Sequence, residues 1–233
     1  MNIDYHIIDV SWDYKYLRGR PYPQSVRITT SGLLDCLKEK LYEERPDSLY
    51  NYYQSLPSLL NGFPEQLHGE LDYKNPLDFM GVYYTRPGMV ACVSNRVKSI
   101  FDTIGVNPDE YILKPITIKN QSAIYYVLFI PMIPISKAGI DFSTSVFSYA
   151  HNDNEGNHVV ISNARDYLEN QADYVPQKIV LEQTKVLQDI YHIESCSNIF
   201  YSSRIVEAFK NEHISGAKIF PLEGKCKLVI KHS

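Results

Sequence analysis

Val93-Ser94-Asn95-Arg96-Val97-Lys98-Ser99-Ile100-Phe101 and Tyr201-Ser202-Ser203-Arg204-Ile205-Val206-Glu207-Ala208-Phe209 are two copies of one pattern. Each reads Ser-x-Arg-(Val/Ile)-x-x-x-Phe. Each is followed, about a dozen residues on, by an apolar segment containing a proline: Lys114-Pro115-Ile116 and Phe220-Pro221-Leu222. In the first copy Val97, Ile100, Phe101 and Ile104 recur at helical spacing, which predicts an amphipathic helix. Ser94 stands where an N-cap belongs, and Gly105 where a helix stops. In the second copy Ser202 or Ser203 takes the cap position, and Ile205, Ala208 and Phe209 form the stripe. Gly216 then precedes a strand. A pattern repeated inside one chain points to a shared structural role for Ser94, Arg96, Phe101, Ser202, Arg204 and Phe209. Each arginine is expected to pair with a carboxylate or a backbone carbonyl of the neighbouring unit. The competing reading makes Arg96 and Arg204 anion binders at helix N-termini.

Outward from the repeats the chain reads as α+β. A mostly antiparallel sheet carries the two helix-strand units, beside an irregular Tyr-rich N-terminal portion. Tyr5 to Val10 is a first strand. Leu33, Leu34, Leu37 and Leu41 mark a helix that ends before Pro46. Residues 46–92 are broken repeatedly, at Pro57, Gly62, Pro64, Gly69, Pro76, Gly81, Pro87 and Gly88. They predict an ordered but irregular segment. Tyr111 to Ile118 and Tyr125 to Ile133 read as strands. The unbroken apolarity of the second says that it is covered on both faces. Cys226 to Ile230 is expected to close the chain as a hairpin partner of the strand after Gly216. The organisation expected is residues 1–92 as strand, helix and irregular segment and residues 93–233 as the repeat-containing portion, in one continuous globular unit.

With 233 residues the chain is long enough to bury a sizeable core without disulfides or metals. Its net charge of -4 and the lack of a Lys/Arg run argue against nucleic acid as a partner. Residues 1–10 carry Asp4 and Asp9 within their apolar stretch, unlike a signal peptide. The longest apolar run, Tyr125 to Ile135, is too short for a bilayer and contains Pro131 and Pro134. No membrane association is expected. Cys36, Cys92, Cys196 and Cys226 are widely separated, so they are read as reduced thiols of a cytoplasmic protein.

Candidate chemistry is sparse. Around His151-Asn152-Asp153-Asn154-Glu155-Gly156-Asn157-His158, a calcium loop with its glycine at Gly156 would put His151 first and Ser162 twelfth. Those two positions need carboxylates. The two histidines lie seven residues apart without further Cys or His nearby, which does not complete a zinc site. A solvated turn is the better reading. There is no nucleophile elbow, phosphate loop or dinucleotide fingerprint. Asp109-Glu110 and Glu43-Glu44 read as solvated charges. The expectation is therefore no catalytic residue, no metal, no cofactor and no enzymatic activity. Of the 19 tyrosines, 11 fall in the first 84 residues. Tyrosine anchors interfaces at low entropic cost, so Asp47, Tyr50, Tyr52 and Tyr53 are candidate partner-binding residues. Asp153 and Glu155 of the polar turn join them.

The order of several segments resembles the bacterial immunity-protein family eleven, small antidotes to polymorphic toxins. Val93-Ser94-Asn95-Arg96-Val97 resembles its Val-Ser-x-Arg-Leu helix start, and Tyr125-Tyr126-Val127-Leu128 its Tyr-Tyr-Leu-Leu strand. Ile140-Asp141-Phe142-Ser143-Thr144-Ser145 resembles its apolar-Asp-x-x-x-Ser segment. Ile179-Val180-Leu181 and Asp189-Ile190-Tyr191-His192-Ile193 resemble its strand followed by Asp-Ile-Phe-Arg-Leu, with His192 where an arginine is usual. Ile199-Phe200-Tyr201-Ser202-Ser203-Arg204-Ile205 resembles its second Ser-x-Arg segment. The likeness covers about residues 80–222. It implies a cytoplasmic, non-catalytic bacterial protein that binds and neutralises a cognate protein toxin. The alternative is an enzyme with an anion-binding cleft between the repeats.

Overall fold

The computed structural model describes residues 4–11, 13, 23–43, 49–71, 75–83, 88–149, 158–170, 174–182, 187–194, 196, 198–220 and 226–231, with backbone alone for 41–43 and 49–54. The fold is α+β, and its sheets are mostly antiparallel. The single sheet expected is instead three sheet systems. β2 (Ser25–Ile28), β3 (Leu67–Glu70), β6 (Ile112–Ile118), β7 (Tyr125–Phe129), β5 (Met89–Ser94) and β4 (Phe79–Val82) close a barrel in that order. β11 (Ile190–His192), β12 (Ile199–Ser202), β1 (Tyr5–Val10) and β13 (Ala217–Phe220) form a second sheet. β14 (Lys227–Ile230), β10 (Tyr174–Leu181), β8 (Val146–Tyr149) and β9 (His158–Val159) form the third. β5 crosses the 92/93 boundary, and β1 from the N-terminal part lies between two C-terminal strands.

The barrel core holds Val26, Ile28, Leu67, Met80, Val127 and Phe129. Leu33 and Leu37 of α1 (Leu33–Glu43) and Leu56 and Leu60 of α2 (Leu49–Asn61) pack into the same core. α2 corrects the expectation of an irregular segment. Leu56, Leu59, Leu60 and Phe63 have helical spacing, and Pro57 within the helix removes one backbone donor without ending it.

β7 shows why its sequence is apolar throughout. Tyr125, Val127 and Phe129 point into the barrel, while Tyr126, Leu128 and Ile130 face a second core outside it. That second core is built on α3 (Asn95–Ile104) and α5 (Ser203–Asn211), the helices of the two repeats. Val97, Ile100 and Phe101 meet Ile205, Val206 and Phe209 there, together with Ile8 and Tyr201. Burying side chains of this size contributes about 1.5–3 kcal/mol each. A third core lies under the β14-β10-β8-β9 sheet, where Phe147, Ile179, Leu181, Leu228 and Ile230 pack with Tyr167 of α4 (Ala164–Glu169).

β14 also departs from expectation. It pairs parallel with β10, Ile179 opposite Leu228, instead of forming a hairpin with β13. Its alternation, with Leu228 and Ile230 buried and Lys227 and Val229 exposed, fits one buried face whichever sheet receives it.

Candidate functional site

The two repeats build matching polar nodes. In the first, Asp78 stands just before β4, and its carboxylate accepts from Ser94 Oγ at 2.8 Å and Arg96 Nη1 at 2.9 Å. Its carbonyl accepts from Ser94 N at 2.8 Å. In the second, Asp189 stands just before β11 and accepts from Ser202 Oγ at 2.5 Å, Arg204 Nε at 3.1 Å and Arg204 Nη2 at 2.5 Å. Its carbonyl likewise accepts from Ser202 N at 2.8 Å. Ser94 and Ser202 occupy N-cap positions but make no side-chain cap bond. This corrects the capping expectation: each hydroxyl is committed to the aspartate instead.

Each arginine also reaches across to the other unit. Arg96 Nη2 donates to the Glu212 carbonyl at the end of α5. Arg204 Nη2 donates to the Ile104 carbonyl at the end of α3, at 3.2 Å. A cation on the terminal carbonyls of a helix offsets the negative end of its dipole. Phe101 and Phe209, equivalent residues, stack with centroids 6.3 Å apart and planes 14° apart. The contacts between the two units are thus reciprocal, each arginine closing the other unit's helix and the equivalent phenylalanines stacking on each other.

The carboxylate expected for each arginine is present, but neither Asp78 nor Asp189 was singled out as that partner. The signal was present, since Asp78-Phe79-Met80 and Asp189-Ile190-Tyr191 both set an aspartate before an apolar strand. Glu110 corrects the reading of Asp109-Glu110 as solvated charges. It is buried, and its Oε2 accepts from the backbone N–H of Asp189 at 2.8 Å and Ile190 at 2.9 Å. Burial raises its pKa, against the opposing pull of those two bonds. Asp141 organises the turn before β8. It accepts from Ser143 Oγ at 2.6 Å and Lys231 Nζ at 2.9 Å, and its carbonyl accepts from Ser145 Oγ at 2.7 Å. The Ser143 hydroxyl first, and then Lys231, hold its carboxyl well below the usual range. His192 is buried with Nδ1 3.2 Å from the Ile130 carbonyl oxygen, and burial lowers its pKa.

Among the described residues, two surfaces stand out. The first is a cleft of about 390 Å³ between α3 and α5. Ile100, Ile104 and Ala208 give it apolar wall, and Asn95, Ser99 and Asn211 give it polar wall. Arg96 lies at its edge with its guanidinium already bonded to Asp78 and Glu212. The second is the β14-β10-β8-β9 sheet. Five large apolar side chains are exposed among the described residues, and Tyr149, Val160, Val175 and Val229 are on this sheet or directly after it. Val160 is 89% exposed, Val175 40% and Val229 39%. Val175 and Val229 project from the side away from the core. There Lys178 and Lys227 stand directly opposite each other on neighbouring strands. Like charges in that relation are mildly unfavourable.

Tyr50, Tyr52 and Tyr53 fall on α2, with side chains outside the described residues. Asp47, Asp153 and Glu155 also lie outside them. Among the described residues no three His, Cys, Asp or Glu side chains gather into a group that could hold a metal. Among the same residues no helix is long and apolar enough to cross a membrane. No protein-family model matches the chain, and no curated protein matches it.

Proposed function

We propose that this chain is a binding protein that neutralises a cognate bacterial toxin by direct contact, in the manner of an immunity protein. The observation that carries the reading is the β14-β10-β8-β9 sheet, where Val175 and Val229 are exposed on the two strands that carry a registered lysine pair. Exposed apolar side chains gathered on one sheet mark protein contact surfaces. The two lysines favour acidic groups on the partner. The motif order resembling immunity-protein family eleven supports the same reading. In this chain the corresponding Ser-x-Arg, Asp-Ile-Tyr and Asp-x-x-x-Ser segments tie the fold together, so the outer sheet face is not engaged by them.

The test is co-expression with a toxin encoded beside this chain. The pair is expected to co-purify and growth to be restored. Val175→Asp with Val229→Asp is expected to weaken association at least tenfold while circular dichroism stays unchanged. Failure of the unaltered pair to associate, with no growth rescue, overturns the reading. The α3–α5 cleft favours a second reading, an enzyme or small-ligand protein with a polar substrate between the repeats. Ser99→Trp fills that cleft. Loss of protection in this variant alone would favour the second reading.

A further inference from the structure

The second sheet closes its two edges differently. On the β11 side, Ile133 N donates to the His192 carbonyl at 2.7 Å and Glu194 N to the Ile133 carbonyl at 2.9 Å, so the chain after β7 covers that edge. On the other side β13 is the last strand. It pairs antiparallel with β1, Ala217 opposite Val10 and Lys218 opposite Asp9, and Ser11 N donates to the Gly216 carbonyl at 2.7 Å. Hydrogen-bonded pairs alternate along such a ladder. Gly216, Lys218 and Phe220 therefore turn their backbone groups towards β1. Ala217 and Ile219 turn theirs outward, and among the described residues nothing bonds to them there. Two amides and two carbonyls thus stand in a row on a strand that is half-buried along its length. Backbone groups so placed call for partners, and an unpaired edge is a template for another chain. Ala217 and Ile219 rest on the second core and Phe220 on the third, so an added strand would extend a sheet covered on both faces.

Lys218 decides which chain fits. Its Nζ lies 5.0 Å from the Phe220 ring centroid, and among the described residues no ion pair joins it to Asp9 across the ladder. Against an added antiparallel strand Lys218 falls in a non-hydrogen-bonded pair, where facing side chains stand closest. A second copy of this chain, in the register that engages Ala217 and Ile219 of both copies, would set Lys218 against Lys218. Like charges directly opposite are unfavourable, and opposite charges there are favourable. We propose that β13 is a docking edge for an extended acidic segment of a partner protein. The segment adds as a further strand, with a carboxylate opposite Lys218 and apolar side chains beside Ala217 and Ile219. This edge is separate from the β14-β10-β8-β9 face, and the proposal asks nothing of the toxin reading.

The probes are two fluorescein-labelled peptides, Thr-Thr-Val-Glu-Val-Thr-Thr and the same sequence with Lys for Glu, titrated with the full chain by fluorescence anisotropy. The acidic peptide is expected to bind roughly tenfold more tightly than the basic one, and Lys218→Glu to reverse that order. Amide exchange at Ala217 and Ile219 is expected to be fast in the free chain and slowed by the acidic peptide. Ile219→Pro removes an outward N–H and leaves the bonds to β1, so it is expected to abolish binding of both peptides with circular dichroism unchanged. If that variant fails to fold, the charge reversal and the exchange measurement still decide. Three results would each overturn the proposal: no binding of either peptide, binding that ignores the charge at 218, or a dimer of the unaltered chain that itself protects these two amides.

Discussion

The two repeat units begin alike and end differently. Both helices close with the same i+5 backbone bond, Val106 N to the Phe101 carbonyl at 3.0 Å and Ile214 N to the Phe209 carbonyl at 2.9 Å. The left-handed residue that makes this possible is Gly105 (φ 69°) in the first unit and His213 (φ 52°) in the second. Past it, the first unit runs on into a short 3-10 turn, Pro108–Glu110. The second bends back, so that Ser215 and Gly216 sit on the first unit's node. Ser215 N and Oγ donate to Asp78 at 3.0 and 2.8 Å, and Phe79 N donates to the Ser215 carbonyl at 2.9 Å. The second node is completed from within the first unit's span, by Glu110 on the backbone of Asp189 and Ile190. One motif thus supports two closures, a shared carboxylate in one and a buried carboxylate on bare amides in the other.

The sharpest way to break this comparison is at glycine. Gly216 has φ 86°, and a Cβ added there would lie 2.1 Å from the Phe79 carbonyl oxygen. Gly105 has open space around it. Gly216→Ala is expected to cost about 4 kcal/mol or more, and Gly105→Ala about 1 kcal/mol, read from urea denaturation. Equal costs would mean that the second closure does not carry the fold. Next in size are the aspartates. Asp78→Ala strands the Ser94 hydroxyl and the Ser215 amide together and is expected to cost about 3–4 kcal/mol. Asp189→Ala strands only Ser202 inside the protein, because Arg204 is partly exposed, and is expected to cost about 2 kcal/mol. A reversed order would put the stronger tie in the second node.

Smaller effects sharpen the picture. His213→Gly relieves the left-handed conformation and is expected to stabilise by up to about 1 kcal/mol, seen as a higher melting temperature. Glu110 gives a pH signature. Its pKa is raised in the folded state, so the fold favours its protonated form, and that contribution is lost as pH rises from about 4.5. Glu110→Gln keeps an acceptor for the two amides without the charge. Its stability relative to the unaltered protein is expected to improve as pH rises above about 4.5. A flat difference across that range would assign Glu110 an ordinary, solvated pKa.

Much of the architecture was legible because periodicity and burial are local. The stripes Val97-Ile100-Phe101 and Ile205-Phe209, the helix stop at Gly105 and the two-faced strand at Tyr125 each announce themselves within a few residues. α2 was hidden by Pro57, whose cost the Leu56-Leu59-Leu60 stripe outweighs. The parallel seat of β14 depends on which sheet offers an edge, a choice made by packing far from Lys227. His213 gave no sign of a helix stop, because the left-handed region is written in the backbone and only glycine advertises it. The polar nodes sat in between. Each serine and arginine was visible, but their aspartates stand 16 and 13 residues upstream of Ser94 and Ser202. The cleft and the outer sheet face were the least legible, since no single segment contains either.

The position of β1 has a consequence for how the chain is made. Ile7 pairs with both Phe200 and Phe220, so the central strand of the second sheet joins residues about two hundred positions apart. The barrel strands all lie between Ser25 and Phe129 and can pair while the ribosome is still at work. Tyr5–Val10 cannot. Its partners Phe200 and Phe220 are made about two hundred residues later, and until then it is an apolar strand with both edges open. The slowest step and the greatest exposure to aggregation therefore fall on this strand.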